Sequence, residues 1–251
     1  MTIEFRLFGD VEARIDGRFV DIGHARQRCV LVALLLDVNR TVPIDVLLDR
    51  VWADHPPQRA RGAVYNYLSR LRRALAVATE VSIARRSGGY RVVVDALAVD
   101  VHRFHHLVLQ ARAAVDDSDA ATLFDEALGL WQGEVLAALD TPWLNTVRVA
   151  LGRERLAAEL DRNDVWLRLG EHAWLLGALS DAASVHPMNE RLAGQLMLAL
   201  YRAGRQADAL THYHEIRLRL ADELGADPSK PLRELHRRIL DADLTLDPPT
   251  R

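Results

Sequence analysis

Tyr65-Asn66-Tyr67-Leu68-Ser69-Arg70-Leu71-Arg72-Arg73, with Arg85-Arg86-Ser87-Gly88-Gly89-Tyr90-Arg91 shortly after it, decides how this chain reads. The first string sits in a segment, residues 58–77, whose apolar side chains recur at helical spacing. They are Ala60, Val64, Tyr67 or Leu68, Leu71 and Leu75. Arg61, Tyr65, Asn66, Ser69, Arg70, Arg72 and Arg73 stand off that face, which leaves one side of the helix polar and basic. The second string lies between Val81-Ser82-Ile83-Ala84 and Arg91-Val92-Val93-Val94. These read as two strands joined by an arginine-rich tip over residues 85–90.

Upstream, two more helices are predicted. One starts near Ala25, carries Cys29, Val30, Ala33, Leu34 and Leu36 mainly on one face, and stops at Asn39. The next opens at Thr41-Val42-Pro43, with Pro43 in its first turn, buries Ile44, Leu47, Leu48 and Val51, and ends at Trp52 before Pro56-Pro57. Ile3-Glu4-Phe5-Arg6-Leu7 and Val11-Glu12-Ala13-Arg14-Ile15 alternate as half-buried strands do, and Asp16-Gly17 suits a tight type I′ hairpin. Strands, three helices and a hairpin make the winged variant of the helix-turn-helix. There the third helix enters the DNA major groove and the hairpin reaches the backbone or minor groove.

The charge is distributed to match. The chain of 251 residues has a net charge of -3, yet residues 59–91 hold eight arginines against Glu80 alone. Residues 92–251 are acidic, so a polyanion-binding module joined to a different domain is one reading and a solvated basic face the other.

From Val99 onward the pattern is helix after helix. The candidates are 101–115, 119–131, 142–169, 171–185, 189–203, 205–222 and 231–242, with Thr141-Pro142 as an N-cap and first-turn proline. Leu169-Gly170-Glu171 recurs as Ala203-Gly204-Arg205, and Ala173 as Ala207, at the 34-residue tetratricopeptide period. The expected fold is mainly α: a winged helix over residues 1–95, then an all-α tetratricopeptide-like domain over 98–246.

Several chemistries are missing. The only lysine, Lys230, precedes Pro231, so no P-loop is present, and there is no G-x-G-x-x-G, H-E-x-x-H or G-x-S-x-G. His102 and His106 could share a helical face as metal ligands, but packing or capping at a domain junction is the favoured role for His102. Cys29 falls on an apolar helix face, where a thiol is inert, and as the single cysteine it excludes an intramolecular disulfide. Trp131, Trp143, Trp166 and Trp174 read as core or interhelix packing residues, with a ligand cage as the alternative. The longest apolar run, Cys29 to Leu36, is too short for a bilayer span, and the N-terminus lacks a signal layout. No catalytic site, cofactor, metal or membrane is expected, and the location expected is cytoplasmic, at the nucleoid.

The whole chain resembles the Streptomyces antibiotic regulatory proteins, the AfsR-like activators that join an OmpR-type winged helix to a bacterial transcriptional activator domain. The resemblance rests on Phe8-Gly9 with Asp16-Gly17, Arg26-Gln27-Arg28, Leu47 to Trp52, Tyr67 to Arg73 and Gly89-Tyr90. In the second part it rests on Asp100-Val101-His102-Arg103-Phe104, Leu130-Trp131, His186-Pro187, Gln195 to Tyr201, Gly204-Arg205-Gln206-Ala207 and Asp222-Glu223-Leu224-Gly225. It covers residues 3–243. Gly88 stands where the family usually has proline, and residues 175–185 are richer in alanine and serine than is usual. The additional ATPase or phosphopeptide-binding domains of larger members are not expected.

The resemblance implies that 58–77 is the recognition helix, with Asn66, Arg70 and Tyr65 as base contacts. Side-chain chemistry agrees, since Arg can grip guanine and Asn adenine with paired hydrogen bonds. Trp52, Arg61, Ser69, Arg72, Arg73, Arg85 and Arg86 are expected at the DNA backbone, with core packing an equal reading for Trp52. Arg91, at the wing tip, is expected in the minor groove. The implied function is activation of a secondary-metabolite (antibiotic) gene cluster, without enzymatic activity. Paired protomers, as a homodimer or side by side, would bind direct repeats in promoter DNA near the -35 region and recruit RNA polymerase holoenzyme through its σ factor. A ligand-gated regulator whose helical domain senses a small molecule is the alternative, and a protein-binding scaffold a further one.

Overall fold

The computed structural model describes residues 2–248. The chain divides into two compact units, residues 1–110 with 125–156, and residues 111–124 with 157–251.

The first unit opens with an antiparallel sheet of β1 (Ile3–Arg6), β2 (Glu12–Ile15) and β3 (Arg18–Val20), in that order. Ile3 pairs with Ile15 and Phe5 with Ala13, so the apolar positions of both strands share the buried face. Asp16 (φ 47°) and Gly17 (φ 77°) both take the positive φ that the type I′ turn requires.

Three helices follow: α1 (Ala25–Leu35), α2 (Ile44–Trp52) and α3 (Ala60–Leu75). The hairpin β5 (Ser82–Arg86) and β6 (Gly89–Val93) closes the winged helix. α1 and α3 end earlier than their periodicity suggests, because Leu36 and Ala76 cap where the pattern runs on, whereas α2 ends at Trp52 as its sequence predicts. Pro43 is not in the first turn of α2. It is the extended N-cap residue and forms, with Val42, the two-residue strand β4 in a second sheet of order β4-β6-β5. Proline lacks the N–H a central strand needs, and β4 is an edge strand. Pro43 pairs with Gly89, where a Cβ would come within 2.1 Å of the Val42 carbonyl oxygen, so this crossing admits glycine only.

Asn39 (φ 61°) stops the α1 turn and also ties it to the hairpin strand. Its amide nitrogen donates to the Val94 carbonyl at 2.8 Å, and its backbone N–H to that of Val92 at 3.0 Å.

The same unit contains the start of α4 (Asp100–Ala113), the end of α5 (Asp117–Gly129) and the first half of α6 (Pro142–Arg168). Phe8, from the loop after β1, stacks on Trp131 at 3.9 Å and meets the edge of Phe104 at 5.6 Å. The buried Asp100 carboxylate accepts the Leu7, Phe8 and Val101 N–H groups at 2.6, 2.9 and 2.8 Å. Burial outweighs those bonds and pushes its pKa up to about 6. His102 bonds the Leu35 carbonyl at 2.8 Å, which meets an otherwise open group at the end of α1. Arg50 of α2 binds Asp37 at 2.5 Å and lies 4.5 Å over the Trp143 ring. The residues after 98 that pack here are therefore continuous with the winged-helix core.

The second unit holds the rest of α5 and α6, then α7 (His172–Val185), α8 (Glu190–Arg202), α9 (Gln206–Leu224) and α10 (Lys230–Leu240). The repeat seen in the sequence is a repeat of geometry. Gly170 (φ 83°) and Gly204 (φ 73°) both end a helix in the left-handed region. The next N–H then reaches back in the same way, Glu171 to Trp166 at 3.0 Å and Arg205 to Leu200 at 2.9 Å. Trp174 meets the neighbouring helix but is not a core residue. It is 61% exposed on α7, with the Trp166 ring at 5.5 Å and the Arg162 guanidinium at 5.8 Å from its ring.

Candidate nucleic-acid interface

Helix α3 buries Ala60, Val64, Leu68, Leu71 and Leu75. Leu68, not Tyr67, thus completes the apolar face. Tyr67 is half-buried, with Trp52 stacked at 6.4 Å and the His24 ring at 5.0 Å. Trp52 is half-buried in that packing at the end of α2.

The opposite face is open. Arg61, Tyr65, Asn66, Ser69, Arg70, Arg72 and Arg73 are all exposed. Among the described residues, the side chains of Asn66, Ser69, Arg70 and Arg73 make no hydrogen bond or ion pair. Arg59, which the charge count includes but no role was expected for, is likewise exposed and unpaired just before α3. Arg61 is paired with Asp45 of α2. Arg72 is engaged inside the fold: its Nε donates to the Ile83 carbonyl at 2.7 Å and its guanidinium lies 5.4 Å over the Tyr90 ring. Tyr65, 44% exposed, has its ring 6.3 Å from Tyr90.

The wing is tighter than its sequence implied. Arg85 pairs with Tyr90 and Arg86 with Gly89, so both arginines belong to β5 and only Ser87-Gly88 forms the turn. Arg91 is not at the tip. It lies within β6 opposite Ala84, is half-buried, and has its Nε shielded without a partner. Opposed residues share a face, so Arg86 and Arg91 lie with Ser82 and Ala84 on the outer side, and Arg85 with the buried Ile83, Tyr90 and Val92 on the inner. Arg85 and Arg86 remain exposed and unpaired because they flank the turn.

The other polar candidates are spent on structure. Cys29 is buried and burial pushes its thiol up, away from the reactive thiolate. His105 faces Glu154 at 2.6 Å, and His102 is bonded as above. Among the described residues no three metal-ligating side chains converge, and no helix is long and apolar enough to cross a membrane.

A three-helix core with a β4-β6-β5 wing, followed by repeated helix pairs, defines a winged helix-turn-helix regulator with a helical second part. Residues 99–240 match the family described as the bacterial transcriptional activator domain. The chain is 44% identical over 249 residues to regulatory protein AfsR of Streptomyces coelicolor, covering 98% of this chain and 25% of AfsR. It is 33% identical over 257 residues to regulatory protein DnrI of Streptomyces peucetius, covering 98% of this chain and 94% of DnrI. The solved structure of Mycobacterium tuberculosis EmbR in complex with a low affinity phosphopeptide superposes with a TM-score of 0.87 at 31% identity, over 99% of this chain and 66% of that one. The chain spans about a quarter of the length of the AfsR relatives it matches. It belongs to the Streptomyces antibiotic regulatory protein family, a family of transcriptional regulators rather than enzymes.

Proposed function

We propose that this chain is a sequence-specific DNA-binding activator of a secondary-metabolite gene cluster. In this reading α3 enters the major groove, Asn66 and Arg70 read base edges, and Arg59, Ser69, Arg73, Arg85 and Arg86 hold phosphates. The carrying observation is that these side chains are exposed and without partners on or just before one helix and at the end of the wing strand β5. An arginine already satisfied by a carboxylate must give up that bond to meet a phosphate, whereas these need give up only water. Tyr65, Trp52, Arg61 and Arg91 take secondary roles, since each is partly committed to packing or pairing. Paired protomers on direct repeats near the -35 region would present the complex to RNA polymerase holoenzyme and its σ factor, in the cytoplasm at the nucleoid.

The test is footprinting on the promoters beside the chain's own gene, with a salt titration of wild type and Arg70→Ala. Protected direct repeats, a steep salt slope and loss of site preference in Arg70→Ala are the expected results. No preferred site at low salt would sink the reading.

A ligand-gated regulator stands as the second reading, on one observation. A cavity of about 470 Å³ opens between α6, α8 and α10, floored by Leu167, Gly194, Leu198, Pro231, Leu232 and Leu235. A small molecule seated there would raise the melting temperature and change DNA affinity together.

A further inference from the structure

We propose that Arg72 is a positioning residue that clamps the recognition helix to the wing, so that α3 and the hairpin meet DNA as one rigid reader. The inference rests on the DNA-binding reading above and removes Arg72 from the set of phosphate contacts.

Arg72 lies in the last turn of α3 and touches both strands of the wing. On β5 its Nε donates to the Ile83 carbonyl at 2.7 Å. On β6 its guanidinium covers the ring of Tyr90 at 5.4 Å. Neither partner is incidental. β5 is an edge strand of the β4-β6-β5 sheet, so a carbonyl on its open side must find a donor outside the sheet. Tyr90 is buried beneath the wing, beside Tyr65 of α3. A planar fork satisfies both demands at once: one edge donates while the face stacks. Lysine carries the same charge but has no flat face and no Nε–H edge. Arg73, the next residue, is exposed and unpaired, so the two adjacent arginines divide into a clamp and a free cation.

The consequence for recognition is geometric. Once α3 is seated, a wing contact is an intramolecular event, and its gain depends on how well the connection holds the hairpin over its groove. A wing released from α3 keeps its arginines and loses their placement.

The experiment uses the full chain and a duplex carrying its footprinted site. Affinity is measured against salt for wild type, Arg72→Ala, Arg72→Lys, Arg73→Ala, Arg86→Ala and Arg72→Ala/Arg86→Ala, with hydroxyl-radical cleavage reporting wing-side protection. Thermal melting checks that each variant is folded, and Arg72→Lys carries the test if Arg72→Ala is not. The clamp predicts that Arg72→Ala weakens binding by about tenfold. It also predicts a salt slope lowered by about 1.8, the share of Arg85 and Arg86 together, with lost wing-side protection, no further loss when Arg86→Ala is added, and no rescue by lysine. Arg73→Ala, by contrast, lowers the slope by about 0.9 with protection intact. A slope lowered by Arg72→Ala only as much as by Arg73→Ala, with protection retained, rescue by lysine and an additive Arg86→Ala, would overturn the proposal. If the unaltered chain binds no duplex, the DNA-binding reading fails first and the clamp with it, before any variant is compared.

Discussion

Arginine is used in opposite ways by two sets of residues, one in the second unit and one around α3 and the wing. In the second unit Arg112, Arg168, Arg191, Arg205, Arg237 and Arg238 each face a carboxylate, as in Arg168 with Asp117 and Arg191 with Asp161 and Asp164. Around α3 and the wing, Arg59, Arg70, Arg73, Arg85 and Arg86 face none. Exposed ion pairs add little stability, so the contrast is not chiefly about holding the fold together. It concerns where positive charge is neutralised within the chain and where it is left available to another molecule. The residue type is the same in both places, and only its neighbours assign its work.

The largest effect tests a charge that belongs to neither class. The Asp100 carboxyl, raised to about 6 by burial, binds its proton more tightly folded than unfolded. Its contribution to stability is full below about pH 4, falls as pH rises, and is lost above about pH 6, a change of roughly 3 kcal/mol. Denaturant unfolding of wild type and Asp100→Asn across that window should show the difference between their stabilities changing with pH. Parallel curves would refute it.

Next is Arg70→Ala, expected to cost about 1–3 kcal/mol on the cognate site and little on unrelated DNA. Equal losses on both would make Arg70 a phosphate contact. Arg73→Ala and Arg85→Ala should weaken all sequences alike, with the salt slope reduced by about 0.9 each. The smallest effect closes the comparison: Arg168→Ala should cost at most about 1 kcal/mol of stability and leave the salt slope of DNA binding unchanged. A changed slope there would mean that paired arginines also engage DNA.

Features encoded by local periodicity were legible. The α3 face, the Asp16-Gly17 turn and the order of the seven later helices follow from spacing and capping, and Thr141 does cap α6 through Leu144 N–H at 3.2 Å. What was not legible depends on residues far apart in the chain. β4 is two residues long and includes proline, so it has no period of its own and exists only because β6 lies beside it. The tip shrank to Ser87-Gly88 because the register of β5 against β6 draws Arg85 and Arg86 into the strand. The exposed side chains of α3 could be read off the helix, but Arg72's bond to Ile83 could not, since it forms between elements. The same holds for Trp174, where the sequence allowed core and interhelix packing alike and the neighbouring helix decides for the second.

The bonds from Asp100 to Leu7 and Phe8, and the stack of Phe8 on Trp131, have a consequence for gene architecture. The unit that carries α3 leaves the chain at residue 110 and returns at 125–156, so it is not one uninterrupted stretch of coding sequence. A chimera joined near residue 96 would transplant the reading head while leaving its supports in the other parent. Recombination between relatives should therefore tolerate crossovers there only when both parents supply matching residues at Phe8, Asp100 and Trp131.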